Sequence, residues 1–312
     1  MSYLDFQELE KYMSQSDQLL QTRQYLGRQM KQFLKKQDCV IICFPGARDQ
    51  RIGDLLEGAV TQTGAQVIRI GPDYRWKTLL KIAFSTRAPV IMAPPNVILG
   101  LMKLAKATGT PLFIRHVLTA GYPCLDWMIE GIRKGLDCQT WGCFIPGGGT
   151  VVAGFSCGRN AGIHLRSDLF DIQALNKAGE PVPEGETGEL VLCLKHIPGQ
   201  AYTTGEYGRI QSISCTCGNQ ETYLTDFSIT HQMDSVVTQI YEQLYLWTSI
   251  LDCHIVKGSY GLELEIVKFP GEKLPKLPDC AKLIIRSWNP ELDEPFHVLS
   301  YAKKEDLSWE TY

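Results

Sequence analysis

Three cysteines and one histidine in the second half of the chain have side chains that could hold a metal ion. Cys157 and His164 lie at the start of one stretch of sequence, and Cys215 and Cys217 lie at its end. Structural zinc sites are closed shells of four ligands, chiefly cysteine sulfurs and histidine nitrogens. A hairpin-like course of the chain would bring these four side chains together into such a shell. From the residues alone, the alternative is four unrelated core or surface side chains.

The first half of the chain has the pattern of an α/β domain. From Ser16 onward, apolar residues recur every three or four positions, as on one face of a helix. Residues 39–44 form a short apolar run, which predicts a strand buried on both sides. Helical and apolar stretches then alternate as far as Trp141. Because parallel strands need crossover connections, we predict a mostly parallel sheet flanked by helices.

The pattern changes after the three glycines at 147–149. Short β-type runs follow at close spacing, and they predict an antiparallel, β-rich subdomain with strands over 163–165, 169–175, 189–195 and 208–214. A helix over 233–247 and strands near 254–256 and 262–267 then predict a small C-terminal α+β domain. We therefore expect three parts, which cover residues 1–150, 151–224 and 225–312.

Composition restricts the classes of partner. The formal net charge is −3, and basic residues are not interleaved with aromatic residues in a run, so we expect no nucleic-acid partner. The N-terminus lacks the features of a secretory signal, and no apolar segment is long enough to span a bilayer. These features predict a cytoplasmic protein without a membrane partner. Its 11 cysteines are then expected to be mostly reduced thiols, and an odd number excludes a complete disulfide framework.

Several motifs, taken in order along the chain, resemble adenylate-forming enzymes of the phenylacetate–CoA ligase-like branch. Gly162-Ile-His164 is followed by Asp168, and Tyr202-Thr-Thr-Gly205-Glu206 precedes Cys215-Thr-Cys217-Gly218. Between them lies a glycine-rich acidic stretch at 179–191. The resemblance implies the adenylate-forming fold without its first part. It also implies that Cys157, His164, Cys215 and Cys217 correspond to a structural zinc cluster.

The resemblance further implies a nucleotide site. Gly121, Tyr122 and Pro123 stand where the family has a turn that lines the adenine, and Trp141-Gly142 stands in place of an aromatic-glycine pair. Glu206 matches a family aspartate that binds the ribose hydroxyls, which a carboxylate can do by accepting two hydrogen bonds. The alternatives are a core position for Trp141 and a solvated turn position for Glu206. The implied ligands are ATP or AMP with magnesium, CoA and a small carboxylic acid.

Three catalytic elements of the family are not recognisable in the sequence. There is no Ser/Thr/Gly-rich phosphate loop with a lysine, and the magnesium-binding glutamate is absent from the stretch after Trp141. The late catalytic lysine has only Lys303 and Lys304 as candidates, in a Tyr-Ala-Lys-Lys-Glu-Asp segment typical of a solvated strand end. Independent ligase activity is therefore in doubt, because each such group stabilises the transition state.

Two main functions are consistent with this sequence. The first is a divergent AMP-forming acid–CoA ligase, active alone or with a second polypeptide that carries the phosphate loop. The second is a non-catalytic, zinc-stabilised binding or scaffolding protein that retains the ligase fold. A redox accessory role rests only on the number of cysteines. A protein partner or a homodimer remains open, as do the acid substrate and the oligomeric state.

Overall fold

The computed structural model describes most of the chain. The described residues are 2–44, 52–70, 75–120, 126–146, 151–158, 162–212, 215–217, 222–228, 235–258, 261–274, 276–277, 282–290, 293 and 295. The helices are α1 (Phe6–Met13), α2 (Ser16–Met30), α3 (Ile52–Thr61), α4 (Trp76–Thr86), α5 (Pro95–Thr108), α6 (Asp126–Leu136) and α7 (Ser235–Leu246). None of these helices has the length and apolar character needed to cross a membrane.

The strands of the first half form the parallel part of a large sheet. They are β2 (Cys39–Ile42), β3 (Gln66–Arg69), β4 (Val90–Met92), β5 (His116–Ala120) and β6 (Gln139–Phe144), in the order β3-β2-β4-β5-β6. Each neighbouring pair is parallel. The predicted parallel sheet flanked by helices is therefore confirmed. Its apolar strands are buried on both faces because helices cover both.

The same sheet continues as an antiparallel array. The strands are β7 (Gly154–Phe155), β8 (Ile163–Leu165), β9 (Phe170–Leu175), β10 (Thr187–Leu194), β11 (Gln200–Gln211) and β12 (Tyr223–Ser228), in the order β7-β8-β12-β11-β10-β9. A short strand, β1 (Ser2–Tyr3), pairs in parallel with β11. The β-rich part predicted after residue 149 is confirmed, but it extends the parallel sheet and does not form a separate one.

The described residues between 235 and 293 form a smaller unit, hereafter the C-terminal unit. It contains α7 and an antiparallel pair, β13 (Ile250–Gly258) and β14 (Gly261–Lys268), with β15 (Lys282–Ser287) parallel to β14. Its buried residues Tyr241, Leu244 and Ile266 share one apolar core with Trp76 and Leu101 of the helical layer. The unit is thus joined to one face of the large sheet.

The strand predicted over 208–214 begins earlier than predicted, and residues 213–214 lie outside the described residues. The observed strand, β11, covers Gln200–Gln211 and runs through the glycine-flanked segment for which a turn was one of the alternatives. Gly205 has a positive φ of +70°, and the register between β11 and β10 shifts across it. A bulged strand can include a glycine of this conformation, so a glycine between polar residues did not mark a turn here.

Candidate metal centre and nucleotide site

Four side chains converge on one point in the antiparallel part of the sheet. The ligand atoms of Cys157, His164, Cys215 and Cys217 all lie within 4.8 Å of one another. The Sγ atoms of Cys157 and Cys215 are 3.5 Å apart, and the Sγ of Cys217 is 3.4 Å from Nε2 of His164. Among the described residues, this is the one group of histidine, cysteine and acidic side chains that lie close enough together to hold a metal ion.

Strand pairing explains how distant ligands meet. Cys157 follows β7, and His164 is the central residue of β8, where it pairs with Phe155 on one side and Tyr223 on the other. Tyr223 is the first residue of β12, and the connection from β11 to β12 carries Cys215 and Cys217. The chain thus leaves the site after His164 and returns to it just before β12. Because β12 lies between β8 and β11 in the sheet, this return brings Cys215 and Cys217 next to His164.

The geometry fits a tetrahedral zinc ion. Zn–S bonds of about 2.3 Å and Zn–N bonds of about 2.0 Å imply ligand separations of roughly 3.8 Å for two sulfurs and 3.6 Å for sulfur and nitrogen. The observed separations of 3.5 and 3.4 Å are close to these values, whereas a disulfide would be near 2.05 Å. Because all four positions would be filled by protein ligands, the metal would have a structural role.

The surroundings of the cluster favour ionised sulfur. Burial raises the pKa of the Cys215 thiol, but hydrogen bonds with Cys217 and Cys157 outweigh burial, so the net shift of this pKa is downward. Burial, followed by the charges of Cys157 and Cys215, raises the pKa of the Tyr223 phenol. Tyr223 therefore stays a neutral phenol beside these sulfurs. Metals bind the thiolate form, so this arrangement suits a metal ligand.

Close packing holds the histidine in place. The ring of Tyr223 meets the ring of His164 edge-on, with centroids 4.8 Å apart. A Cβ atom added at Gly162 would lie 2.1 Å from the Tyr223 ring, so only glycine allows Tyr223 to occupy this position. The Gly162-Ile-His164 motif is thus explained by packing: the glycine makes room for the aromatic ring that supports the ligand.

The predicted adenine turn cannot be placed, because Gly121, Tyr122 and Pro123 lie outside the described residues. Trp141 and Gly142 lie in β6. The indole of Trp141 is buried and stacks on Phe33, with ring centroids 4.4 Å apart and an angle of 27° between the rings. Trp141 is therefore packed in the core, and its contact with a purine stays a prediction.

Glu206 is buried in β11, so the alternative of a solvated turn residue is wrong. Its side chain is only 3% exposed, and its Oε2 atom has no hydrogen-bond partner among the described residues. Burial raises the pKa of Glu206 well above its ordinary value. The carboxyl group faces the side of β11 that carries Tyr202, whose pKa is raised to about 12 by burial and by the charge of Glu206. Its contact with a ribose stays a prediction.

The segment that carries Cys157 is in direct contact with β6. The backbone N–H of Gly142 donates to Oγ of Ser156 at 2.7 Å, and the N–H of Ser156 donates to the Gly142 carbonyl at 2.8 Å. Ser156 immediately precedes the ligand Cys157. On its other side, Gly158 lies against Trp141, so closely that an added Cβ would be 2.9 Å from the indole. The segment that carries Cys157 therefore supports both predicted nucleotide residues of β6.

One ion pair near the cluster, between a buried arginine and a half-exposed aspartate, was not predicted from the sequence. Arg166, two residues after His164, has a fully buried side chain. Its guanidinium donates to both carboxylate oxygens of Asp168 and, at 2.8 Å, to the hydroxyl of Thr22 in α2. It also lies 4.8 Å from the ring centroid of Tyr25. Asp168 belongs to the family-like motif, but its charge partner next to the ligand strand could be found only in three dimensions.

Comparisons with known proteins bear on the fold. No protein-family model and no curated protein sequence matches the chain. Among solved structures, 2-hydroxyisobutyryl-CoA ligase in the postadenylation state, in complex with 2-HIB-AMP, is 11% identical, with a TM-score of 0.70 over 92% of this chain and 70% of the ligase. Its open conformation, in complex with 2-HIB-AMP and CoA, is 12% identical, with a TM-score of 0.60 over 67% of this chain and 52% of the ligase.

A second ligase gives the same result. A benzoate CoA ligase from Burkholderia xenovorans is 11% identical, with a TM-score of 0.53 over 85% of this chain and 61% of that chain. The chain therefore spans between 52% and 70% of the length of these ligases. Identity at this level shows the fold and not the activity. The protein has the adenylate-forming enzyme fold, as the motifs in its sequence predict.

Proposed function

We propose that the protein is a divergent, zinc-containing acid–CoA ligase of the AMP-forming type, related to phenylacetate–CoA ligases. The observation that carries this proposal is the match of 92% of the chain to a ligase in complex with an acyl-AMP. The expected ligands are an adenine nucleotide with magnesium, a small carboxylic acid and CoA. A cytoplasmic location and the division at residues 150 and 224 also remain predictions.

Zinc would be held by Cys157, His164, Cys215 and Cys217. The ion would supply no acid–base or Lewis-acid chemistry, because four protein ligands leave no open position. Its contribution would be to fix the connection from β11 to β12 against β7 and β8. Since the Cys157 segment supports Gly142 and Trp141, this fixation would extend to the strand that is expected to line the nucleotide.

The nucleotide would bind at the carboxyl ends of the parallel strands. Ligands of open α/β sheets bind outside the carboxyl ends of the strands. Apart from Glu206, the predicted nucleotide residues come directly after β5 or lie in β6, so we expect the nucleotide at these two strands. The cradle for the β- and γ-phosphates is not recognisable in the sequence. We therefore propose that a second polypeptide supplies it, so that the chain binds nucleotide alone but needs this partner for adenylation.

Two measurements test the proposal. Metal analysis by mass spectrometry should find about one zinc per chain in the wild type and none in Cys215→Ala, with Cys193→Ala as a matched control outside the cluster. Acid-dependent release of pyrophosphate from ATP should appear when a partner chain is added. No pyrophosphate release over a panel of aryl and short-chain acids, with or without partners, would exclude the ligase function.

A second candidate is a non-catalytic protein that retains the ligase fold for binding or scaffolding. It is favoured by two side chains that the structure holds in the interior: Trp141 is stacked on Phe33, and the Glu206 carboxyl is buried. Neither is presented to a ligand in this arrangement. Under this alternative, AMP or CoA binding by calorimetry would be found without acyl-adenylate formation. Formation of acyl-adenylate by the isolated chain would exclude it.

A further inference from the structure

We propose that Cys157 and Cys215 are an oxidation site: a hydroperoxide converts the pair to a disulfide and thereby removes two of the four metal ligands. The inference rests on the proposed zinc site and adds a modification to it. Its consequence is that the metal is held only while these two sulfurs are reduced.

Geometry selects this pair among the three thiols of the cluster. The Sγ atoms of Cys157 and Cys215 are 3.5 Å apart, so the two sulfurs must approach by roughly 1.5 Å to reach the S–S bond length of about 2.05 Å. The Sγ of Cys217 instead lies 3.4 Å from His164. A bond between Cys215 and Cys217 would also close a small ring across a single residue, which strains the backbone.

The environment of the cluster allows a small oxidant to reach it. Cys157 and Cys215 are 5% and 7% exposed, but Cys217 beside them is partly exposed. Elsewhere in the described chain, Cys43 and Cys253 are fully buried, and burial raises the pKa of each thiol. Peroxides react with thiolates, so these two cysteines should remain reduced and serve as internal controls.

The reaction balances with one hydroperoxide. One sulfur attacks the peroxide oxygen and becomes a sulfenic acid, while the O–O bond breaks and an alcohol, or water from hydrogen peroxide, leaves. The second sulfur attacks the sulfenic sulfur, the S–O bond breaks, and water leaves. Two thiolates and two protons thus give one disulfide, and the hydroperoxide accepts the two electrons.

The disulfide would take over part of the structural role of the metal. The disulfide joins residues 58 positions apart, which are the same two segments that the metal would join. The oxidised protein should therefore lose its metal and keep the β7–β12 arrangement. A reductant should restore the thiols, and the metal should bind again when it is added back.

The test uses the full chain with its metal bound and hydrogen peroxide as the oxidant. Released zinc is measured with a chromogenic chelator, and disulfides are located by peptide mass spectrometry without reduction. We expect one zinc released for each Cys157–Cys215 disulfide, and full reversal by dithiothreitol with added zinc. Cys193→Ser should behave as the wild type, whereas Cys157→Ser should form no such disulfide. A Cys215–Cys217 bond, or sulfinic acids without a disulfide, would contradict the inference.

A second arm separates this inference from the zinc proposal. Protein stripped of metal by a chelator is oxidised with diamide, which forms disulfides without peroxide, and is mapped in the same way. The Cys157–Cys215 bond in metal-free wild-type protein would support the pairing even if no zinc were ever found. If the native protein contains zinc but forms a different disulfide, or none, the proposed oxidation site is refuted and the zinc proposal is not.

Discussion

The ammonium group of Lys103 donates a hydrogen bond of 2.8 Å to the carbonyl oxygen of Ile250. Lys103 belongs to α5, and Ile250 is the first residue of β13, so the bond joins the helical layer to the C-terminal unit. The same ammonium lies 5.0 Å from the ring centroid of Tyr245, whose hydroxyl donates to Asp252 at 2.7 Å. A polar network therefore lies inside an otherwise apolar joint.

This network makes the stability depend on pH. Burial lowers the pKa of Lys103 from an ordinary value of 10.5 to about 8, and the charges of Cys253 and Asp252 offset only part of this effect. Between these two pH values the unfolded chain binds more protons than the folded chain, so the contribution of Lys103 to the free energy of unfolding rises with pH. Tyr241 and Tyr245 also face this region, and burial raises both of their pKa values.

The prediction concerns the difference in the free energy of unfolding between the wild type and Lys103→Met. Buried thiols such as Cys253 lose protons on unfolding above about pH 9 and act in the opposite direction, but they are common to both proteins. The stability of the wild type relative to the variant should therefore increase from pH 8 to pH 10. Urea denaturation at several pH values measures it, with Lys106→Met on the exposed side of α5 as control. A difference that is independent of pH would refute the assignment.

Removing the metal should destabilise the antiparallel part of the sheet. Structural zinc sites contribute on the order of 10 kcal/mol to folding, part of which is lost when a chelator removes the ion. Calorimetry should show a lower Tm after chelation, and hydrogen exchange should increase in β7, β8 and β12 before it increases in β2 to β5. Equal protection of all these strands with and without chelator would contradict a structural metal.

Gly162→Ala should weaken metal binding without changing any ligand. The added Cβ would lie 2.1 Å from the Tyr223 ring, so the ring must move from its contact with His164. Overpacking of this kind costs about 1–3 kcal/mol. Competition with a zinc chelator should show lower affinity than in the wild type. Gly131→Ala is the control, because its added Cβ meets only Leu99 at 3.7 Å.

Glu206→Gln should stabilise the protein at neutral pH. The folded protein raises the pKa of this carboxyl, so Glu206 contributes stability only at low pH and loses it as the pH rises above its unfolded value of about 4.5. Glu206→Gln does not lose stability in this way, so the difference in stability between the variant and the wild type should disappear near pH 4. Thermal unfolding at pH 4 and pH 7 measures this effect. A variant that is less stable at pH 7 would show that the buried group is charged and paired.

The same variant tests the ribose assignment. A ribose diol would pair with the ionised form of Glu206, which accepts two hydrogen bonds, and glutamine cannot take this form, so the variant should bind AMP more weakly. Calorimetry with AMP should then show weaker binding by a more stable protein. Unchanged AMP affinity would show that Glu206 is a buried residue without a contact to the ribose.

Local patterns predicted the features that depend on neighbouring residues. The helical periodicity after Ser16 and the apolar runs such as 39–44 predicted the parallel part of the fold, because each strand and helix is amphipathic or buried along its own length. The convergence of Cys157, His164, Cys215 and Cys217 was one of two alternatives from the residue types, and the family resemblance implied it. Helix α1 was missed, although Asp5 and Glu8 form a capping box at its start.

Features that depend on distant pairing were not predictable. Nothing near Glu206 shows that a bulge continues β11 through Gly205 and directs the carboxyl inward. Nothing near Lys103 shows that a strand more than a hundred residues later in the chain covers its ammonium group, since a lysine on a helix is ordinarily solvated. Both positions are decided by tertiary contacts, which a local pattern does not contain.

The insertion of β12 between β8 and β11 has a consequence for any attempt to divide this protein. A fragment that ended before Tyr223 would leave two strand edges unpaired at once, on the short β8 and on the long β11. Unpaired edges favour association with other chains. Such a fragment should aggregate even though it contains every cysteine and histidine of the cluster. The part of the chain from Tyr223 onward is therefore needed for solubility before it is needed for any chemistry.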